Sequence, residues 1–494
     1  MKKLITIAAA VAMWSCALAQ GGMVTLAKGE EGKNMEAEAL ANSWYLGRYD
    51  DKDCWLMRME KGPESFVRKD DWQVVVLDRH LQIYNQVELP MTGDCQVLTL
   101  LTNGSYAEIL LVDSSKATKT VVMSAEIDMD SMLLVDNKID TLFSCDLEKD
   151  DCCYVWAAAS GNGEYIGLLT LQQFTRKRQY AAEAMMYDRR MNELWSKEYP
   201  VGTTSCIAVS DEGEMVTLGY DHDGTDEHFA ISLIAARTGD NYGLTVTCDP
   251  VDHMQILSVM DRKVICAGLF SPVKSDVEKD LTGGTVAMVF DIDSTEITKF
   301  TMRPFQNEDV NILQNKKTKK VQHRNEVPMV MPLASVVTPY GVVLAVGHRH
   351  VLRYKNANGT VSTSYFAQGI HLMALDDEGT IKWVRNLRRN DFEKDEEDGM
   401  YMALFMEGDT LCLLKSESHK SPTDYNIAKE AKEYEVGDKS NLVLYRVTES
   451  GDVFKTVLEK KTKHSLIAAS KREDGSVLMM TRAGKKTRMM ELAF

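Results

Sequence analysis

The chain lacks the sequence signatures of the common catalytic and metal centres. Its 494 residues contain no G-x-S-x-G nucleophile turn and no H-E-x-x-H zinc motif. Its ten cysteines include no pair at C-x-x-C spacing, which a structural zinc site would favour. The sequence therefore gives no support for a nucleophilic hydrolase of that type or for a zinc centre.

Helical periodicity and long apolar runs are also scarce. Only residues 33–41 and 425–432 have the spacing of short helices. Beyond the first twenty residues, no run reaches the ~18 apolar residues that a membrane-spanning helix needs. These absences exclude a helical bundle and indicate no transmembrane segment in the mature chain.

The N-terminal residues 1–19 have the features of an export signal. Lys2 and Lys3 precede an apolar centre, and Ala17-Leu18-Ala19 supplies the small residues of a cleavage site before Gln20. We expect residues 20–494 to be exported to the periplasm or the extracellular space. Cys16 raises the alternative of a lipoprotein anchor, although Met13-Trp14-Ser15 before it is a poor lipobox.

The net charge argues against two classes of partner. The 57 basic residues less Lys2 and Lys3 leave 55 against 73 acidic residues, a net charge of −18. Such acidity repels nucleic acid and anionic membranes. Nine cysteines remain after the signal, an odd number, and the best local disulfide is Cys145 with Cys152 or Cys153.

What the sequence does contain is an internal repeat. An apolar run ends in Asp or Arg, a polar turn follows, and a second apolar or aromatic strand comes next, as in Ala184–Tyr199. The repeat anchors are separated by 58, 52, 49, 54, 85 and 70 residues and lie at Asp78, Asp136, Asp188, Arg237, Asp291, Asp376 and Arg446. Most of these spacings are near the ~40–50 residues of one four-stranded propeller blade.

Hairpin signals fill the space between the anchors. Apolar runs flank Gly161-Asn162-Gly163, Asp211-Glu212-Gly213 and Asp474-Gly475, where glycine tolerates the positive φ of a tight turn. Many runs are apolar on consecutive residues, which is typical of strands buried on both faces. We therefore expect an all-β chain, with residues 20–494 forming a single β-propeller domain that carries loop insertions near 305–332 and 416–438.

The end of the chain suggests how such a ring would close. The last unit, 464–494, supplies only three strands, and an unpaired sheet edge is normally avoided. We expect the N-terminal segment 23–27 to complete the final blade. Counting residues 44–89 as the first blade gives eight blades. Seven result if that segment merges with the C-terminal unit.

Two polar clusters are candidate metal sites. Asp221, Asp223 and Asp226 lie in a tight acidic loop around Gly224 and are candidates for calcium, which prefers six to eight oxygen ligands. The alternative is a solvated acidic hairpin turn. His348 and His350 alternate along one strand and would need a third ligand, for which His371 is the candidate; the alternative is an exposed strand end. We expect no other cofactor.

The repeats resemble those of WD40-like and quinoprotein-like propellers. They are more similar to exported β-propeller proteins of Bacteroidetes-type bacteria, through Cys54–Arg58, Val76–Asp78, Ser160–Tyr165 and Leu375–Trp383. The resemblance implies a propeller fold over nearly all of the mature chain. Because the Gly-His and Trp-Asp pairs of true WD40 repeats and the tryptophan-docking motif of quinoprotein dehydrogenases are absent, it implies neither a scaffold role nor a quinone.

These observations favour an exported, non-catalytic propeller that binds a protein, peptide or glycan at one face of the ring. Loops at one end of a propeller converge on a concavity where a ligand is readily enclosed. Two alternatives stay open. One is a hydrolase or lyase acting on glycans, with acidic residues in the central funnel. The other is a structural component of a cell-envelope assembly that uses the two insertions as contacts.

Overall fold

The computed structural model describes most of the chain from residue 24 to the C-terminus. The described ranges are 24–32, 44–49, 52–60, 70–78, 83–92, 95–102, 105–116, 118–175, 179–199, 203–221, 229–236, 241–248, 251–271, 281–316, 326–355, 361–394, 400–436, 439–472, 474–483 and 486–494. The predicted export signal, Cys16 and the predicted helix at 33–41 lie outside them.

The described chain is almost entirely β-structure, which confirms the all-β prediction. The strands of the first half are β1 (Thr25–Gly32), β2 (Trp44–Tyr49), β3 (Lys52–Glu60), β4 (Asp70–Leu77), β5 (Ile83–Thr92), β6 (Cys95–Thr102), β7 (Tyr106–Lys116), β8 (Lys119–Asp128), β9 (Leu133–Leu134), β10 (Asp140–Asp146), β11 (Cys152–Ala159), β12 (Tyr165–Phe174), β13 (Gln179–Asp188), β14 (Glu193–Glu198), β15 (Thr203–Val209), β16 (Met215–Asp221), β17 (Phe229–Ala236) and β18 (Asn241–Cys248). A short 3₁₀ turn, Val135–Asn137, follows β9.

The second half continues the same pattern. Its strands are β19 (Val251–Met260), β20 (Lys263–Phe270), β21 (Leu281–Thr282), β22 (Gly284–Asp291), β23 (Glu296–Pro304), β24 (Val327–Pro328), β25 (Val330–Thr338), β26 (Gly341–Lys355), β27 (Val361–Leu375), β28 (Ile381–Lys394), β29 (Met402–Glu407), β30 (Thr410–Ser418), β31 (Tyr434–Glu435), β32 (Ser440–Val447), β33 (Val453–Thr462), β34 (Ser465–Lys471), β35 (Val477–Ala483) and β36 (Lys486–Ala493). One α-helix, α1 (Asn307–Leu313), is found within the described ranges.

The strands are grouped into eight antiparallel meanders, here called sheets 1 to 8. In order they are β2-β3-β4-β5, β6-β7-β8-β10, β11-β12-β13-β14, β15-β16-β17-β18, β19-β20-β22-β23, β25-β26-β27-β28, β29-β30-β32-β33 and β34-β35-β36-β1. β9 is added to sheet 2, β31 joins sheet 6 in parallel with β28, and β21 pairs with β24. The last sheet takes its outer strand from the N-terminus, because Thr25 pairs with Ala493 and Gly32 with Thr487.

Each sheet is packed face to face with its neighbours in the chain. Ile109 and Leu111 of β7 contact sheet 1, while Leu110 between them contacts sheet 3. This burial of both faces explains why the strands are apolar on consecutive residues rather than on alternate ones. Successive four-stranded meanders packed in this way form a β-propeller.

The first and last sheets also contact each other. Trp55 and Leu77 of sheet 1 pack with Ile467 and Leu478 of sheet 8 in one apolar cluster. Eight such clusters connect sheets 1 with 2, 2 with 3, 3 with 4, 4 with 5, 5 with 6, 6 with 7, 7 with 8, and 8 with 1. Burying one large apolar side chain contributes about 1.5–3 kcal/mol, so these interfaces hold the sheets together.

Part of the first insertion is helical rather than loop. Helix α1 starts after Gln306, whose main-chain N–H donates to the Asp309 carboxylate at 2.8 Å. Val310 and Leu313 are buried against sheets 5 and 6. The sequence predicted a short helix at 425–432 in the second insertion, but the structure has turns there. The main-chain groups of this segment bond to neighbouring segments instead of to each other, as when Ile427 O accepts from Arg388.

Eight cysteines whose side chains the structure describes are free thiols: Cys54, Cys95, Cys145, Cys152, Cys153, Cys206, Cys266 and Cys412. The thiols of Cys145 and Cys153 hydrogen-bond to each other. The disulfide predicted between Cys145 and Cys152 or Cys153 is therefore not formed. Within the described ranges, no helix has the length and hydrophobicity needed to cross a bilayer.

Candidate functional site

A cleft between sheets 2 and 3 is the strongest candidate site in the described part of the chain. Its volume is about 600 Å³, within the range of small-ligand pockets. The lining is mostly polar and consists of Leu101, Thr102, Ser105, Tyr106, Glu108, Glu126, Gly163, Arg189 and Arg190. The cleft continues outward from the apolar interface that Leu110 shares with Ile166 and Leu168, where the two sheets are in contact.

Sheet 2 supplies the acidic wall of the cleft. Glu108 on β7 pairs in register with Glu126 on β8, so the two side chains lie directly opposite each other on one face of the sheet. Directly paired residues of antiparallel strands have Cβ atoms about 4.5–5.5 Å apart. Glu108 is buried, whereas Glu126 is half-buried. Two carboxyl groups therefore meet at the cleft with unequal access to water.

The environment of Glu108 favours its protonated form. Burial raises its pKa to about 8, the nearby Glu126 carboxylate adds to the rise, and a hydrogen bond with Ser124 only partly opposes it. Asp140, on the next strand, also raises the pKa. Because burial and the adjacent Glu126 carboxylate both disfavour the ionised form, Glu108 favours its protonated form near neutral pH, in which it can donate a hydrogen bond.

Sheet 3 supplies the basic rim. Arg189 and Arg190 lie in the turn between β13 and β14, which Asp188 fixes by accepting hydrogen bonds from the main-chain N–H groups of Arg190 and Asn192, both at 2.9 Å. Arg189 pairs with Glu164 at 3.0 Å. The guanidinium of Arg190 is exposed and makes no bond to any part of the chain that the structure describes.

The glycine-rich turn Ser160–Gly163 forms the end of the cleft and is fixed to sheet 4. Asn162 N donates to the Asp211 carboxylate at 2.8 Å, and Asn162 Nδ2 donates to Asp211 O at 3.1 Å. Gly163 adopts a φ of +70°, which side chains rarely permit. The sequence correctly predicted a hairpin turn here. The turn lines a cleft only because sheet 2 lies beside it and supplies the opposite wall.

The arrangement offers several complementary groups to a polar ligand. The protonated Glu108 can donate, the Glu126 carboxylate can accept, and Arg190 can donate to an oxygen. Tyr106 is 42% exposed and offers an aromatic face. Hydroxyl-bearing rings combine apolar faces with polar edges and match such a set of groups.

The earlier metal candidates are not part of this site. The side chain of Asp221 and all of Asp223 and Asp226 lie outside the described residues, so the predicted calcium loop stays a prediction. In the described ranges, no group of three His, Cys, Asp or Glu side chains is placed to hold a metal ion.

The histidine candidates have other surroundings. His348 and His350 stack with ring centroids 5.2 Å apart, and burial, followed by the effect of His350, lowers the pKa of His348 to about 4. His371 does not complete a set of ligands: it is on β27 of the same sheet, where its Nδ1 lies 2.7 Å from Asn386 Oδ1.

Sequence analysis did not single out Glu108 and Glu126. One signal was present: each is an acidic residue that interrupts an apolar strand, as Ala107-Glu108-Ile109 and Ala125-Glu126-Ile127. An acidic residue within a strand buried on both faces needs a partner or a cleft. The alignment of the two across the β7–β8 hairpin identifies them as a pair.

Comparison with known proteins adds no family. No protein-family model matches the chain, and no curated protein matches its sequence. Similar solved structures include the Dos1 propeller, at 8% identity over 94% of both chains with a TM-score of 0.44. Another is the Pyrococcus horikoshii acylaminoacyl peptidase, at 7% identity over 93% of this chain and 58% of that chain, with a TM-score of 0.38.

A third similar structure is the β-propeller domain of the Trilobed protease from Pyrococcus furiosus. It is 10% identical over 67% of this chain and 78% of that chain, with a TM-score of 0.33. TM-scores of this size carry no argument about this chain, so its assignment as a β-propeller rests on its own sheets.

Proposed function

We propose that the chain is an eight-bladed β-propeller, closed by its N-terminal strand, that binds a glycan in the cleft between sheets 2 and 3. The eight blades correspond to sheets 1 to 8. Closure is supported by the pairing of β1 with β36 and by the apolar cluster that Trp55 shares with Leu478. The N-terminal strand leaves β36 without an open edge in this arrangement.

The observation that carries the binding proposal is the 600 Å³ cleft with carboxyl groups on one wall and the exposed Arg190 on the other. A glycan suits this cleft better than an apolar peptide, because its hydroxyl groups can both donate to Glu126 and accept from Glu108 and Arg190. Tyr106 offers a surface on which a sugar ring can stack.

We place the ligand in this cleft rather than in the central funnel. The first strands of successive sheets contact one another, as β11 with β15 and β15 with β19, so they surround the centre. In these eight strands, as far as the structure describes them, Asp252 and Glu407 are the acidic residues. The centre thus offers few groups for acid–base chemistry, and the inter-sheet cleft offers a pair.

The binding proposal is tested by calorimetric titration of the purified chain with a panel of soluble neutral and acidic oligosaccharides. We expect at least one to bind, and we expect Arg190→Gln and Glu126→Gln each to weaken that binding about tenfold, the effect of losing one charge-assisted hydrogen bond. Lys382→Gln, a change at an exposed position on sheet 6, is the matched control. Binding that both cleft variants leave unchanged would place the ligand elsewhere.

A glycan-acting hydrolase or lyase is the second candidate, and the raised pKa of Glu108 favours it. A protonated carboxyl beside an ionised one is the arrangement of a general acid and a base in glycoside cleavage. Incubating the chain with polysaccharides and measuring reducing ends or unsaturated products tests this candidate. Activity that Glu108→Gln abolishes at unchanged ligand affinity would make the chain an enzyme rather than a binding module.

Export belongs to the same proposal. We infer that residues 1–19 direct the chain to the periplasm or the extracellular space, and N-terminal sequencing of the secreted chain should begin at Gln20. A mature chain that begins at Cys16 would instead indicate a lipid anchor. Copurification with membrane proteins that disappears when residues 416–438 are deleted would favour a component of the cell envelope.

A further inference from the structure

A strap formed by residues 419–436 covers the adjoining ends of sheets 6 and 7. It is held by bonds along its length: Asn315 and Ala431 exchange two hydrogen bonds of 3.1 and 2.9 Å, and Lys455 donates to Pro422 O. Arg388 Nε donates to Ile427 O at 2.6 Å. The strap is therefore an ordered cover rather than a free loop.

A small cavity, partly open to solvent, lies between the strap and sheets 6 and 7. Its volume is about 30 Å³, more than the ~10–15 Å³ that one water needs and too small for a sugar or a phosphate ester. Its lining residues are Arg388, Glu417, Ser421, Pro422, Asp424, Tyr425, Asn426, Lys429, Ala431, Tyr445 and Lys455. Both walls and the cover supply polar groups.

Arg388 is the least satisfied of these groups. It is only 7% exposed, and its Nε and Nη1 donate to the main-chain oxygens of Ile427 and Asn311. Its Nη2 is buried and has no partner among the residues that the structure describes. Glu308 and Glu430 act on Arg388 through electrostatics without an ion pair. A buried cationic donor left unbonded is costly, so it is expected to have a partner that the protein does not supply.

Lys455 provides a second donor beside it. Its side chain is 3% exposed, and it bonds to Glu417 Oε1 and to Pro422 O. An ammonium has three N–H groups, two of which these bonds use, and its nitrogen also lies 5.6 Å from the centroid of the Tyr445 ring. The other oxygen of Glu417 accepts from Tyr445 at 2.9 Å, so this carboxylate is already satisfied.

The charges around the cavity do not balance. Among its buried side chains, Arg388 and Lys455 are basic and Glu417 is acidic, which leaves one positive charge in excess. The other charged groups near Arg388 are exposed, so water screens them: Lys429, Asp424, Glu308 and Glu430. The excess occurs in a chain whose formal net charge is −16. A water molecule would satisfy the free donors but would leave this charge uncompensated, whereas one monovalent anion would do both.

We propose that the cavity beneath the strap binds a small inorganic monoanion, of the size and charge of chloride, with Arg388 and Lys455 as its principal donors. The anion neutralises the buried charge and connects the strap to sheets 6 and 7. This site is separate from the cleft between sheets 2 and 3 and does not depend on the function assigned to that cleft.

The first test measures the melting temperature of the full chain at constant ionic strength while sodium chloride replaces sodium gluconate, whose anion is too large for the cavity. We expect the melting temperature to rise by about 1–2 °C for each tenfold increase in chloride above the dissociation constant. Arg388→Met should abolish the rise. Arg385→Met, on the same strand, should retain it, because all three guanidinium nitrogens of Arg385 already donate to main-chain oxygens.

The second test needs no variant, so it holds even where Arg388→Met fails to fold. Crystals grown in sodium bromide should show an anomalous peak in the cavity. Equal melting temperatures in chloride and gluconate, or a cavity without bromide, would overturn the proposal in favour of bound water. A bromide peak without any chloride dependence of the melting temperature would be an adventitious ion only and would equally overturn it.

Discussion

The protonation of Glu108 predicts a specific dependence of stability on pH. Burial first, and Glu126 second, raise its pKa from 4.5 to about 8 in the folded chain. Between those two pH values the folded chain holds a proton that the unfolded chain has released. Stability therefore falls as the pH rises through this window, which is the opposite of the behaviour of a carboxylate in an ion pair.

The size of the effect follows from the linkage relation. One pKa unit corresponds to about 1.4 kcal/mol, so the free energy of unfolding should fall by roughly 4 kcal/mol between pH 5 and pH 9 on account of this group. Unfolding entropy of about 2.1 cal/mol/K per residue gives a change of about 4 °C in melting temperature if the chain unfolds as one unit. Other carboxyl groups titrate as well, so measurements on the wild type alone do not isolate the contribution of Glu108.

The difference between the wild type and Glu108→Gln isolates the contribution of this group. Glutamine has the same shape and cannot ionise, so the variant should gain about 4 °C relative to the wild type on going from pH 5 to pH 9. Scanning calorimetry at closely spaced pH values measures this gain. Glu126→Gln removes the neighbouring charge and should reduce the change in melting temperature between pH 5 and pH 9. Glu164 is exposed, so Glu164→Gln should leave that change as it is in the wild type.

One result would refute the reasoning about Glu108. If the difference in melting temperature between the wild type and Glu108→Gln is the same at pH 5 and pH 9, the side chain ionises at an ordinary pKa. Glu108 would then be no hydrogen-bond donor at neutral pH. The general-acid candidate would lose its basis, and the glycan would have to be held by Glu126 and Arg190.

Three further predictions concern the fold. Arg472→Met should lower the free energy of unfolding by about 3–5 kcal/mol, because it leaves the buried carboxylate of Asp53 on sheet 1 unpaired. In the wild type this carboxylate lies 2.7 Å from Arg472 Nε. Equal stability of variant and wild type in urea titration would contradict the prediction. Gly341→Ala should cost more than about 2 kcal/mol, since φ is +133° and the new Cβ would lie 2.0 Å from Leu375 O, whereas Gly408→Ala, with no atom within 4 Å, should cost less. Deleting residues 24–32 should expose the edge of β36 and cause aggregation on size-exclusion chromatography, and a monodisperse, equally stable product would argue against closure by β1.

The strands and their grouping could be predicted from the sequence because their signals are local. Val74–Asp78 and Leu375–Trp383 contain their own apolar runs and turn residues, and strand pairing within a meander needs only a short turn. The repeat spacing then predicted four-stranded units, and the unit left one strand short at Phe494 predicted a partner from the N-terminal residues. β1 does pair with β36.

The sequence was less informative about the insertions. Helix α1 forms because Val310 and Leu313 find an apolar surface between sheets 5 and 6, which no local pattern encodes. The turns at 425–432 replace a predicted helix because their carbonyl groups bond to Arg388 and other distant partners. Tertiary contacts therefore overrode local propensity at 425–432.

The sequence by itself determined that the chain is built of β-hairpins repeated at the length of one propeller blade, because period, turn chemistry and burial on both faces are written into consecutive residues. Only the tertiary structure decided where chemistry can occur. Glu108 and Glu126 come together with Arg190 because a turn of sheet 3 lies beside the hairpin of sheet 2, and Arg388 meets Lys455 beneath a strap from the second insertion. Contacts between separate sheets depend on how the sheets pack, which local sequence does not specify.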